Sequence, residues 1–137
     1  MKKIFVQSAV LIMGIFILQL TACGQKNSSE VSAVVENVSA QDFYKKMKDK
    51  DVVVVDVRTP METKQGKIPG ALEIDFYADD FKEQINRLDK NKAVMVYCRS
   101  GGRSAKAAEI MKEMGFKKIV NLENGFMELQ KQNLPVE

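Results

Sequence analysis

Ala93-Val94-Met95-Val96-Tyr97-Cys98-Arg99-Ser100-Gly101-Gly102-Arg103-Ser104 is an apolar run that ends in a cysteine and passes into a loop of two glycines and two arginines. Ala105 to Met114 follows, with apolar Ala107, Ile110, Met111 and Met114 at i, i+3, i+4 and i+7. That spacing is one face of a helix, and the short run Ala93 to Tyr97 fits a buried strand. Cys98 therefore stands where a strand hands over to a helix. The first amides of that helix point back towards the loop and attract negative charge. Gly101 and Gly102 let the backbone curl so that successive N–H groups face inward. Arg99 and Arg103 add two positive charges. Many free cysteines are small buried hydrophobes, but such a cysteine has no use for two flanking arginines and a Gly-Gly loop. The pattern favours a reactive thiolate.

Working outward, strands and helices alternate. Val34 to Val38 reads as a strand, and Ser39 caps a helix over Ala40 to Lys48, with Asp42 completing the capping box. Val52 to Val57 is a β-branched buried strand. Thr59-Pro60 starts a short helix that Gly66 stops. Ile68-Pro69-Gly70 is a turn and Ala71 to Ile74 a brief strand. Asp79 or Asp80 opens a helix with apolar Phe81, Ile85 and Leu88. Gly115 ends the helix after Cys98, Lys118 to Leu122 is a strand, and Gly125 precedes a last helix over Phe126 to Gln132. This alternation predicts an α/β domain, a parallel sheet with helices on both faces. Ligands of such sheets bind at the carboxyl ends of the strands, where Cys98 stands.

The beginning of the chain is of another kind. Met1-Lys2-Lys3 is positive, and the unbroken apolar core Ala9 to Leu18 is short of the roughly 20 residues of a membrane span. It ends in Leu20-Thr21-Ala22-Cys23, which resembles a bacterial lipoprotein signal. That resemblance implies cleavage before Cys23, lipid on its sulfur and an acylated new N-terminus. Several acyl chains give stable anchoring. The expected organisation is a signal over 1–22, a lipidated N-terminus and flexible tether over 23–32, and one domain over 33–137. The expected location is extracytoplasmic, in the cell envelope. In a cell with two membranes it is the outer one, facing the periplasm, because Gly24 is not the aspartate that resembles an inner-membrane retention signal.

The chain has two cysteines. With Cys23 lipidated, Cys98 has no partner and a disulfide framework is excluded. The net charge is +3. Removing residues 1–22 takes away Lys2 and Lys3 and no acid, leaving 19 basic and 18 acidic residues. That balance argues against nucleic acid. There is no histidine, so no imidazole base activates Cys98, and no metal site of the usual zinc type is visible.

Four motifs resemble the rhodanese family of sulfurtransferases, in order and over nearly all of residues 34–137. They are Asp56-Val57-Arg58-Thr59-Pro60 through Glu62, Gly66-Lys67-Ile68-Pro69-Gly70-Ala71, Cys98-Arg99-Ser100-Gly101-Gly102-Arg103-Ser104, and Asn121-Leu122-Glu123-Asn124-Gly125-Phe126 with Leu134-Pro135-Val136-Glu137. Lys67 departs from the family's histidine, Asn124 from a glycine and Leu129 from a tryptophan. Lys67 is expected to alter the rim of the site, and the other two a turn and packing.

The resemblance implies a rhodanese-like three-layer α/β/α domain with a mostly parallel five-stranded sheet. It also implies thiosulfate sulfurtransferase chemistry, in which Cys98 takes a sulfane sulfur from a small donor anion, holds it as a persulfide and passes it to cyanide or a thiol. No cofactor is needed beyond that covalent intermediate. Arg99, Ser100, Gly101, Gly102, Arg103 and Ser104 form the substrate-binding loop. Arg99 is expected to bind the donor's sulfonate oxygens, and Arg103 to do the same or to brace the loop. Asp56 and Arg58 stand beside the site and hold loops, or form only a surface salt bridge; Glu62 is structural. The protein is expected to act as a monomer. Two rivals remain. One is a persulfide carrier or binding module without catalysis. The other is a cysteine phosphatase or arsenate reductase, whose loop carries five residues between cysteine and arginine where four separate Cys98 from Arg103.

Overall fold

The strand-forming runs are the apolar and β-branched segments. In the computed structural model, which describes residues 33–137, they become β1 (Val34–Val38), β2 (Val52–Asp56), β3 (Leu72–Glu73), β4 (Ala93–Tyr97) and β5 (Lys118–Leu122). Between and after them run α1 (Ala40–Lys46), α2 (Pro60–Thr63), α3 (Phe81–Asn86), α4 (Gly102–Glu113) and α5 (Gly125–Lys131). The strands form one sheet in the order β1-β5-β4-β2-β3, and every pairing is parallel. The lipoprotein signal, Cys23 and the tether fall outside the described residues.

The period-two alternation of β4 divides the core between the two faces of the sheet. Val94, Val96 and Cys98 face one layer, with Phe81 and Ile85 of α3 and Ala107, Ala108 and Met111 of α4. Met95 and Tyr97 face the other, with Ala40 and Phe43 of α1 and Phe126 and Leu129 of α5. This is the expected three-layer α/β/α arrangement. Leu129 is fully buried in the second layer, so its side chain fills core space. β2 leads outward to β3, whereas β4 leads to β5 on its other side. The chain thus departs in opposite directions from adjacent strands, and the crevice this opens at their carboxyl ends is where such sheets bind ligands.

Local signals set most element ends. The Ser39 side chain accepts from the Asp42 amide. Thr59 and Glu62 form a capping box on α2, with Pro60 in its first turn. α1 stops at Lys46, two residues before the expected end, as Lys48 and Asp49 turn tightly onto the Lys45 and Lys46 carbonyls.

One buried cation ties the crevice together. Arg58 is 3% exposed and Asp56 fully buried. The Arg58 guanidinium donates to both Asp56 carboxylate oxygens at 2.6–3.0 Å, to the Gly66 carbonyl at 2.7 Å and to the Glu62 carbonyl at 3.4 Å. It also lies 3.9 Å from the Phe126 ring centroid. The end of β2, α2, the Gly66 turn and α5 therefore meet on one side chain. The surface salt bridge weighed as an alternative for this pair is excluded by its burial. Breaking a buried pair strands the remaining charge. Arg58→Ala is expected to cost about 3–5 kcal/mol in urea unfolding. Arg58→Lys should recover little of it, because an ammonium lacks the planar fork and the stacking face.

Candidate active site

β4 points alternate side chains at the α4 layer, and Cys98 continues that alternation one residue beyond the strand. Its thiol is 1% exposed, on the floor of the loop that leads into α4. The Gly101 amide donates to Cys98 Sγ at 3.1 Å. Ser104, fully buried, has its hydroxyl 3.5 Å from the same sulfur and 3.0 Å from the Gly101 carbonyl. A hydroxyl has one proton and can donate to only one of these acceptors at a time. Burial pushes the Cys98 thiol up. Hydrogen bonds from the Ser104 hydroxyl and from the Ser104, Ser100 and Gly101 amides outweigh it, and the thiol lies below its ordinary value. The inward N–H groups expected from the loop pattern are present. Ser104 does more than its place in the motif suggested, because it faces the sulfur from the first turn of α4.

The two glycines differ. Gly101 has φ +95°, and a Cβ there would lie 1.9 Å from the Glu123 carbonyl oxygen. Gly102 is the first residue of α4, and a Cβ there would meet nothing within 4 Å. The expectation that both glycines curl the backbone is corrected: only Gly101 does so. The loop is held from the other side by α5, where the Phe126 and Met127 amides donate to the Cys98 and Arg99 carbonyls at 2.7 and 3.1 Å. Gly125 permits that approach, since a Cβ there would lie 2.5–2.6 Å from the Arg99 and Cys98 backbones.

The two arginines also differ. Arg103 forms a two-pronged ion pair with Glu62, at 2.7 and 2.6 Å. Its guanidinium lies 5.6 Å from the Tyr77 ring centroid. The ion pair with Arg103 holds the Glu62 carboxyl at about 2, with the Thr59 backbone and hydroxyl helping against burial. The stabilisation is complete above the ordinary carboxylate range and is lost only as pH falls towards about 2. Arg103 thus braces the loop against α2, and Glu62, read from sequence as structural, supplies the brace. Arg99 is exposed, and no carboxylate among the described residues pairs with it.

Arg99 opens onto a cleft of about 440 Å³, lined also by Arg58, Met61, Glu62, Gln65, Phe126, Met127 and Gln130. Nothing in the sequence pattern marked Met61, Gln65, Met127 or Gln130 for this wall, since α2 and α5 meet only in the fold. Lys67 is not among the residues that line the cleft. Its ammonium pairs with Glu73 at 2.7 Å.

Adjacent alanine substitutions test the loop. Gly101→Ala should cost about 2 kcal/mol or more, through positive φ and the clash with Glu123. Gly102→Ala should change stability by less than about 1 kcal/mol. Chemical denaturation of the two variants reads the contrast.

The fold and this site can be set beside known proteins. A model of the Rhodanese-like domain matches residues 39–132. A sulfurtransferase of Allochromatium vinosum is 31% identical over 104 residues, covering 75% of this chain and 95% of that protein. A putative sulfur carrier protein of Bacillus subtilis, YrkF, is 33% identical over 103 residues; the match covers 74% of this chain and 55% of that longer protein. A rhodanese-related protein from Thermoplasma volcanium, solved by crystallography, is similar with a TM-score of 0.67 at 30% identity, over 74% of this chain and 97% of that one. The parallel five-stranded sheet, the Cys98 loop at its central strand and these likenesses lead to one conclusion: this chain belongs to the rhodanese-like domain family, with sulfurtransferase and sulfur carrier relatives.

Proposed function

We propose that the protein is a sulfurtransferase that moves a sulfane sulfur from a donor such as thiosulfate, through a persulfide on Cys98, to a nucleophilic acceptor. The observation that carries this reading is the Cys98 sulfur on the loop floor, receiving the Gly101 amide at 3.1 Å with the Ser104 hydroxyl at hand. In the first step the Cys98 thiolate attacks the outer sulfur of thiosulfate. The S–S bond of the donor breaks, and its electron pair leaves with sulfite. In the second step an acceptor thiolate or cyanide attacks the outer sulfur of the persulfide and Cys98 departs as a thiolate. The donors that favour the thiolate serve the anionic persulfide equally. Arg99, exposed and with no carboxylate partner among the described residues, is suited to the sulfonate oxygens of the donor. Nothing in this chemistry calls for a cofactor or metal. The domain is proposed to act as a monomer, without nucleic acid.

The phosphatase reading fares worse. Its arginine must turn to the oxyanion, and Arg103 is engaged by both oxygens of Glu62. The carrier reading has one observation in its favour: a thiol 1% exposed suits storage of a persulfide until a partner arrives. It shares the charging step and differs in the second.

The proposal includes the organisation read from the sequence: signal over 1–22, lipid on Cys23, tether to residue 32, and a domain anchored in the cell envelope facing away from the cytoplasm.

Two tests follow. The full chain with Cys23→Ser has Cys98 as its only thiol. Its alkylation rate should rise with pH through a midpoint below that of an ordinary thiol. Thiosulfate should add the mass of one sulfur atom, cyanide should remove it as thiocyanate, and Cys98→Ser should abolish both. A protein that takes up no sulfur but hydrolyses an aryl phosphate would revive the phosphatase. For the anchor, wild-type chain expressed in a bacterium should fractionate with membranes and carry lipid, and Cys23→Ala should block both lipidation and processing. Recovery of wild-type protein as an unmodified soluble species would end the anchor proposal.

A further inference from the structure

The cleft lined by Arg99, the residue that follows Cys98, is larger than the donor needs. Thiosulfate has five non-hydrogen atoms, whereas about 440 Å³ falls in the range of pockets that hold organic ligands of many atoms. Its charges are unequal. Arg58 is neutralised by Asp56, and Glu62 is neutralised by Arg103. Arg99 is the one cation of the wall with no carboxylate among the described residues. Its apolar content is unusual too. Among the described residues, large hydrophobic side chains are exposed at six positions. Met61 (77%) and Met127 (50%) are in this wall, and a third, Tyr77 (67%), lies against Arg103 of the same loop. The remaining exposed polar groups, Gln65 and Gln130, are primary amides, each with two donors and an acceptor.

We propose that this cleft is the docking site of the sulfur acceptor, and that the acceptor is a cysteine in an extended polypeptide segment with a carboxylate next to it. The inference rests on the sulfurtransferase reading and names the substrate class of its second step. Arg99 takes the acidic group, Gln65 and Gln130 bond to peptide N–H and C=O groups, and Met61 and Met127 pack on the neighbouring side chains. Methionine is suited to this, because a flexible, polarisable side chain adapts to varied apolar partners. The two substrates use the arginine in turn. Sulfite leaves after the first step, and the vacated cation then meets the acceptor's carboxylate. The acceptor's thiolate attacks the outer sulfur of the Cys98 persulfide, the Sγ–S bond breaks, and Cys98 regains the electron pair. The acceptor's cysteine becomes the persulfide, with no external oxidant or reductant.

The test uses the full chain carrying Cys23→Ser, charged with thiosulfate and checked by mass before any acceptor is added. Discharge is then followed with single-cysteine peptides of equal length whose flanking residues are Glu, Gln or Lys, and with cyanide as a small acceptor. The kcat/KM should be highest for the Glu peptide and exceed that of the Lys peptide about fivefold or more at low salt. Sulfate, an oxyanion that cannot take the sulfur, should compete with the Glu peptide more strongly than with the Gln peptide. Arg99→Gln should remove the preference for Glu over Lys. The double variant Gln65→Ala with Met127→Ala should lower the ratio of peptide to cyanide turnover for all three peptides. Equal rates for the three peptides, or a preference that survives Arg99→Gln, would overturn the docking site while leaving sulfur transfer to cyanide intact. Failure of the chain with Arg99 intact to charge at all would overturn the sulfurtransferase reading, and the docking site with it.

Discussion

The buried Arg58 guanidinium is the constraint on which the site depends. A charge this far from water is tolerated when it is paired and hydrogen-bonded. Its partners are a β2 carboxylate, the Glu62 and Gly66 carbonyls and the face of Phe126. Satisfying one cation therefore fixes how α2 and α5 meet at the carboxyl end of the sheet. Glu62 then extends the arrangement, its carbonyl facing Arg58 and its carboxylate gripping Arg103 of the Cys98 loop. Tyr97, below, accepts from the Ile68 amide and so secures the turn that follows Gly66. Its phenol is held well above the ordinary value, by burial first and by the Asp56 charge second.

The loop is clamped from both sides. Arg103 pulls it towards α2, while the first amides of α5 hold the Cys98 and Arg99 carbonyls. A backbone held this firmly aims its N–H groups at the sulfur before any substrate arrives, the condition under which such dipoles stabilise charge effectively. It also explains how a thiol on the floor of a core cluster escapes the usual effect of burial. The groups that lower its pKa most are backbone amides and one buried hydroxyl, which bring little bulk.

The arginines show a division of labour that composition cannot express. One is neutralised and structural, and the other is exposed and has no carboxylate partner among the described residues. In the proposed two-step chemistry a single free cation suffices, because donor and acceptor occupy the site in succession. A second free arginine would add attraction for anions without adding a step.

Much of this was legible in the sequence, because local rules govern it. The strand–helix alternation, the Ser39 and Thr59 caps and the place of Cys98 after a buried strand depend on period, propensity and chain neighbours, and the structure bears them out. The motif Cys98 to Ser104 likewise marked a loop of inward amides. Other features required the fold. Gly101 and Gly102 look alike in sequence, yet only one approaches the Glu123 carbonyl. Arg99 and Arg103 look alike until Glu62, 41 residues before Arg103, is brought against one of them. The cleft wall of Met61, Gln65, Met127 and Gln130 carries no pattern, because its residues come from α2, the turn after it and α5, which are distant in the chain. The sequence by itself determined which segments become strands and helices and where the sulfur stands. Tertiary structure decided which charges are neutralised and which surface stays open, since those depend on contacts across the sheet that no local period encodes.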